Sequence, residues 1–311
     1  VLDMGAEDLT VEKIIEIRKM LSKQIENSHK KARHKKCLLC EETRGFCNSH
    51  TIPQFCLENI AWKGKLNSYH TLVDSQFLNK DSGINNAGTF HIICKTCDGQ
   101  VFQNYEKEQA YETTPTEQVL NQIVLKNVLR DIYKHETEVE IFDVIKKLMQ
   151  EKAQTNYWLL DLYYERQIVA KKQEIQDCYE IFNISKSYLT LPKKWLRVIS
   201  YDKLDYVCPI AFQGMVSLTT GFDDEIINNG FNHESDYKIE YLHIAIFPLQ
   251  KTTAIILFID SKNIRYAEFE KRITNMTQKE RLEIINNIIF LYTEDYYLSK
   301  QLDENTIKLL Q

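Results

Sequence analysis

Two Cys-x-x-Cys pairs, Cys37–Cys40 and Cys94–Cys97, bracket a histidine at position 50. Each pair can grip a metal through a tight turn, and four thiolates hold one Zn²⁺ tetrahedrally. Between the pairs runs Cys47-Asn48-Ser49-His50-Thr51-Ile52-Pro53, and Asp98 follows the second pair directly. A metal staple across these segments brings an imidazole beside a carboxylate. An imidazole with a pKa of about 6.5 takes a proton from water at neutral pH. A carboxylate can hold a divalent ion that offsets charge on a phosphate. The chemistry expected is therefore hydrolysis, with His50 activating water, Asp98 holding Mg²⁺ or Mn²⁺, and the four cysteines structural. A second zinc set stays open at this point. Cys37, Cys40, Cys47 and His50 also have ligand spacing, and that set would consume the histidine.

The elements that must position these residues are set by the pattern. Pro53 keeps the chain extended as it leaves the His50 strand. Asp98 opens a helix expected over Gly99–Ala110, where an acid suits the positive end of the helix dipole. On such a helix Glu106 stands ~12 Å along the axis from Asp98, too far to share its ion. Ahead of the first cysteine pair, Leu9, Ile14, Ile15, Ile17, Leu21 and Ile25 form one apolar stripe and predict a helix over 7–34. The stretch Lys63–Phe90 is polar, carries turn signals, and reads as a long loop.

Thr114-Pro115-Thr116-Glu117 has the form of a capping box and begins long helices that run to about Ile184. Past Pro192 the period becomes strand-like over Trp195–Tyr201, Tyr206–Thr219, Tyr241–Phe247 and Ala254–Ile259. Helices over Ala267–Asn275 and from Thr277 to about Thr293 close the pattern, the latter with Thr277 and Glu280 as a capping box. His91 and His243 read as strand residues, and Tyr292–Tyr297 as a helix end with an aromatic patch. The fold class expected is α+β, in four segments. These are an N-terminal helix (1–34), a zinc-stapled ββα module (35–112), a helical connector (113–191), and a mainly antiparallel sheet with helices (192–311).

Cys37-x-x-Cys40, Ser49-His50-x-Ile52-Pro53 and Cys94-x-x-Cys97-Asp98 together resemble the zinc-knuckle branch of the HNH, or ββα-metal, endonucleases. The resemblance covers residues 35–110. It implies that a hairpin delivers His50 as general base, that a following helix delivers Asp98 as metal ligand, and that the cysteines clamp the two. Ser49 stands where many relatives carry Asp, Glu or His, and Asn85 or Asn86 takes the place of the pattern's middle asparagine. The activity implied by the resemblance is that of an endonuclease acting on DNA, less readily RNA, in a setting such as bacterial antiviral defence. The alternative it implies is a catalytically inactive module that only binds nucleic acid or another protein.

The chain has 311 residues, 43% hydrophobic and 27% charged, which is ordinary for globular protein. No apolar run approaches the ~20 residues that span a bilayer, and no secretory pattern opens it. Eight cysteines without a disulfide-like layout point to a reducing, cytoplasmic setting. The formal net charge is −5, yet Lys30, Lys31, Arg33, Lys35 and Lys36 crowd ahead of the first cysteine pair. That cluster is a candidate phosphate-steering patch for duplex DNA, or a solvated helix end. A protein partner or a second copy would dock through the helical and C-terminal regions, and no membrane is involved. No Walker loop, dinucleotide fingerprint or nucleophile elbow is present.

Overall fold

The computed structural model describes residues 19, 23, 26–28, 30–31, 33–69, 81–152, 157–230, 232, 234, 237–293 and 295–302. Most of the helix expected over 7–34 lies outside them; residues 19, 23, 26–28, 30 and 31 are helical.

The molecule is α+β. A two-stranded antiparallel ribbon pairs β1 (Ser49–His50) with β4 (Thr89–Phe90). Between them come α1 (Gln54–Ile60), β2 (Lys65–Tyr69) and β3 (Asp81–Gly83), and after β4 comes α2 (Lys95–Val101). Two long helices follow, α3 (Glu117–Lys152) and α4 (Tyr157–Tyr188). Contacts of Asn121 with Ser185, of Glu138 with Lys171, and of Lys146 with Glu165 run these two antiparallel. Strands β5 (Leu196–Leu204), β6 (Ile210–Val216), β7 (Leu242–Pro248) and β8 (Thr253–Asp260) precede α5 (Ala267–Asn275), α6 (Gln278–Tyr292) and β9 (Tyr296–Ser299).

One seven-stranded sheet runs in the order β3-β2-β9-β6-β7-β8-β5, with every neighbouring pair antiparallel. The central strands β7 and β8 are buried along almost their whole length, because both faces of the sheet are covered. Side chains alternate across a strand. Ile244 and Ile246 pack with Phe269, Ile273, Ile285 and Ile289 of α5 and α6. Ala245 and Phe247 face the other way, into a core shared with α3 and the cysteine-bearing segment. The first half of α3 is buried on every side, Val119, Leu120, Ile123, Val124, Leu125, Val128 and Ile132 lying inside together with the polar Asn121, Gln122, Lys126 and Asn127. A helix of that kind belongs inside a core, and here it lies between the cysteine module and the sheet.

Several expectations change. The stretch Lys63–Phe90 is not a plain loop: β2 and β3 extend the C-terminal sheet by pairing β2 with β9. Tyr296 and Tyr297 belong to that inserted strand rather than to a helix end. The helix after Cys97 stops at Val101, where Phe102 and Tyr105 turn into the core. At the start of α3, Thr116 rather than Thr114 caps, accepting from Val119 N at 3.4 Å. The Glu117 carboxylate instead accepts from Trp195 N and Leu196 N at 2.8 and 3.0 Å, anchoring the start of β5. The Thr277–Glu280 capping box forms as expected.

Candidate metal centre and histidine site

The Sγ atoms of Cys37, Cys40, Cys94 and Cys97 all lie within 4.8 Å of one another, with Cys40 to Cys94 at 3.9 Å. Tetrahedral metal–sulfur bonds of about 2.3 Å give S···S edges of ~3.8 Å, so four thiolates fit one structural ion such as zinc. The cysteines are free thiols, and local backbone holds them in place. Glu41, at φ 61°, closes the first turn with its N–H on the Cys37 carbonyl at 2.8 Å. Cys94 caps α2, its sulfur accepting from Cys97 N at 3.4 Å, while Cys94 N donates to Cys37 Sγ at 3.3 Å. Amide donors of this kind favour thiolate charge. The alternative set with Cys47 and His50 does not assemble. Cys47 Sγ turns to the Ile93 carbonyl at 3.7 Å, and His50 is held elsewhere.

His50 pairs across the ribbon with Thr89, and Ser49 with Phe90. Alternation along β1 sends Ser49 fully inward and leaves His50 half-buried. His50 Nε2 lies 3.0 Å from the Ile84 carbonyl. A carbonyl only accepts, so Nε2 carries the proton and Nδ1 keeps the lone pair. Burial draws the imidazole pKa below its ordinary value, and the Lys126 charge adds to this. The backbone carbonyl that orients the ring comes from Ile84, one residue ahead of Asn85.

Asp98 is not open. Its Oδ1 accepts from the Ser49 hydroxyl at 2.6 Å and from Lys126 Nζ at 2.8 Å. Lys126 Nζ also donates to Ser49 Oγ at 2.8 Å. Lys126 is 1% exposed and stands 4.2 Å from the centroid of the Phe102 ring. A buried ammonium thus takes the place beside Asp98 that the expected Mg²⁺ or Mn²⁺ would need. Among the described residues no cluster of three acidic, histidine or cysteine ligands forms apart from the four cysteines. The residues at Asp98 therefore do not fit a resident divalent ion, and no step is derived through one.

Glu106 returns to this neighbourhood because α2 ends early. Its carboxylate accepts from Gln54 N at 3.2 Å and caps α1. Burial raises its pKa, Lys126 opposing and Asp98 adding to the rise. Lys126 is the residue of this site that sequence reasoning misses. Its signal is a lysine set in the run Val124-Leu125-Lys126-Asn127-Val128-Leu129, on a stretch of helix with no exposed face.

The remaining candidates are dispersed. Lys30 pairs with Glu26 at 2.6 Å and Lys31 with Glu140 at 3.8 Å, while Arg33, Lys35 and Lys36 are exposed. His34 bonds Glu136 at 2.6 Å, tying this stretch to α3. His91 lies in the turn before Cys94, edge-on to Tyr133. His243 is buried in β7 against Phe258, and its Nδ1 has no partner, so it is a sheet residue without the hydrogen bond expected of it. No family model, curated protein or solved structure matches the chain.

Proposed function

We propose that residues 35–112 form a zinc-stapled module of the ββα-metal type and that the chain hydrolyses phosphodiester bonds, in duplex DNA before RNA. The observation that carries this reading is His50, whose proton is fixed on Nε2 by the Ile84 carbonyl. Nδ1 then offers a lone pair, and the depressed pKa keeps the ring neutral at pH 7. A water proton passes to Nδ1, the hydroxide oxygen bonds to phosphorus, the bond from phosphorus to the leaving sugar oxygen breaks and that oxygen takes a proton from water, while the imidazolium returns its proton to solvent. The cysteine cluster supports the reading because one zinc ion held there would tie the Cys37–Cys40 turn to the start of α2. Exposed Arg33, Lys35 and Lys36 stand ahead of Cys37, where substrate phosphates can be steered.

The test is cleavage of labelled duplex DNA and RNA by the zinc-loaded chain in Mg²⁺, Mn²⁺ and EDTA. His50→Ala should keep its zinc and lower the rate by about 10²–10⁴-fold. A second reading, an inactive nucleic-acid-binding module, is favoured by the hold of Lys126 on Asp98. It prevails if the unmodified chain binds DNA yet leaves it intact under every one of these conditions.

A further inference from the structure

The far part of the α3–α4 hairpin has an unfinished core. From Asp143 to Lys147 of α3 and from Trp158 to Gln167 of α4, no described side chain is fully buried. On α4 the inward side is Tyr164, whose ring lies 6.0 Å from that of Phe142, and then Ile168, which is buried. The outward side of the same turns is also apolar. Trp158, Leu162 and Val169 form one row at helical spacing, and Leu159 and Tyr163 stand in the row beside it. These side chains are between 43% and 64% exposed.

Scattered exposed apolar residues are ordinary, but a run of them along one face makes a patch. A helix that is apolar all round is covered on every side in its working state. Full side-chain areas here are about 200 Å², so the patch offers roughly 500 Å². Two such faces brought together remove roughly 1,000 Å² from water, which meets the lower bound for a specific interface before any flanking residue is counted.

The face is complementary to itself. Arg166 lies on it, exposed and with no ion-pair partner among the described residues. Trp158 and Arg166 stand four residues to either side of Leu162. A two-fold axis beside Leu162 sets α4 antiparallel to its mate and makes every contact twice. Leu162 then meets Leu162 of the partner subunit, and Arg166 lies over the indole of Trp158 of the partner subunit. The unpaired guanidinium and the exposed ring thus satisfy each other as a cation–π pair at both ends of the contact.

We propose that two copies of this chain pair through this face of α4, their hairpins joining as a four-helix bundle. The pairing does not depend on whether His50 cleaves anything, and its readout is mass rather than activity.

Sedimentation equilibrium of the full zinc-loaded chain tests this. The parent should run at twice the chain mass at about 10 µM. Leu162→Glu sets two charges against each other at the axis and should weaken pairing at least about thirtyfold, with zinc content and circular dichroism unchanged. Arg166→Glu should weaken it at least about tenfold. Leu162→Cys should cross-link to its own copy under oxidised glutathione where the parent does not, and this reads the register even if Leu162→Glu fails to fold. A parent monomeric at about 100 µM, a dimer as tight in Leu162→Glu or Arg166→Glu as in the parent, or a Leu162→Cys chain that dimerises without cross-linking would overturn the proposal.

Discussion

Replacing Lys126 with Met isolates the contact that most separates a metal-binding Asp98 from an ion-paired one. The Lys126 ammonium is 1% exposed and gives hydrogen bonds of 2.8 Å to both Asp98 and Ser49. Methionine preserves the length and the packing against the Phe102 ring, but it leaves the Asp98 carboxylate without its counter-charge. Breaking a buried pair from one side costs about 3–5 kcal/mol. The Asp98 side chain is 26% exposed, so water recovers part of that loss and the lower end, about 3 kcal/mol, is expected. At about 1.5 °C per kcal/mol for a chain of this length, melting should fall by roughly 5 °C. Asp98→Asn should cost a similar amount, because it strands the ammonium instead. The double variant removes both charges and should cost less than the two singles together by about 2 kcal/mol. Urea unfolding at fixed zinc, with unchanged m-values, measures all three. In Lys126→Met, freed Asp98 should also bind Mn²⁺ more tightly than in the parent, by calorimetry. Additive costs, or an Asp98-dependent Mn²⁺ site already present in the parent, would refute the reasoning.

X-ray absorption should find one zinc per chain with four sulfurs at about 2.3 Å, and Cys94→Ser should release it and unfold residues 35–112, since structural zinc contributes folding free energy directly. A nitrogen in the first shell would restore the set with Cys47 and His50. His243, whose pKa burial lowers to about 3, contributes stability that is complete above pH 6.5 and is lost as pH falls toward 3. It should remove about 2 kcal/mol between pH 6.5 and 5, and His243→Leu should flatten that part of the stability profile. A variant profile parallel to the parent's would exclude this residue as the cause. Neutralising Lys30, Lys31, Arg33, Lys35 and Lys36 should lower the log–log salt slope of DNA binding by about 0.9 for every phosphate no longer engaged. Arg33, Lys35 and Lys36 should carry most of the change, because Lys30 and Lys31 already pair with Glu26 and Glu140. An unchanged slope would place the nucleic-acid face elsewhere.

Local chemistry is readable in the sequence wherever a short pattern decides the outcome. The two Cys-x-x-Cys turns converge. The Thr277–Glu280 box caps α6, and β7 and β8 fall within a residue or two of their β-branched runs. Long-range pairing escapes such patterns. Nothing within Lys65–Tyr69 announces that it pairs with Tyr296–Ser299, more than two hundred residues away. The early end of α2 escapes for a related reason. Phe102 and Tyr105 continue a helical pattern on paper, yet the core they must enter is built by α3 and by Phe247 of β7. That early end brings Glu106 back to cap α1, which no helix through Ala110 would have allowed.

The same limit governs Asp98. A carboxylate directly after Cys97 invites a metal only while its surroundings are unknown. Its partner comes from position 126, in a helix whose apolar residues signal burial but not which buried lysine meets which acid. Once that helix is seated, the charge of Asp98 is balanced by the chain itself. His50, by contrast, is held only through Nε2 on the Ile84 carbonyl, which leaves the lone pair of its ring on Nδ1.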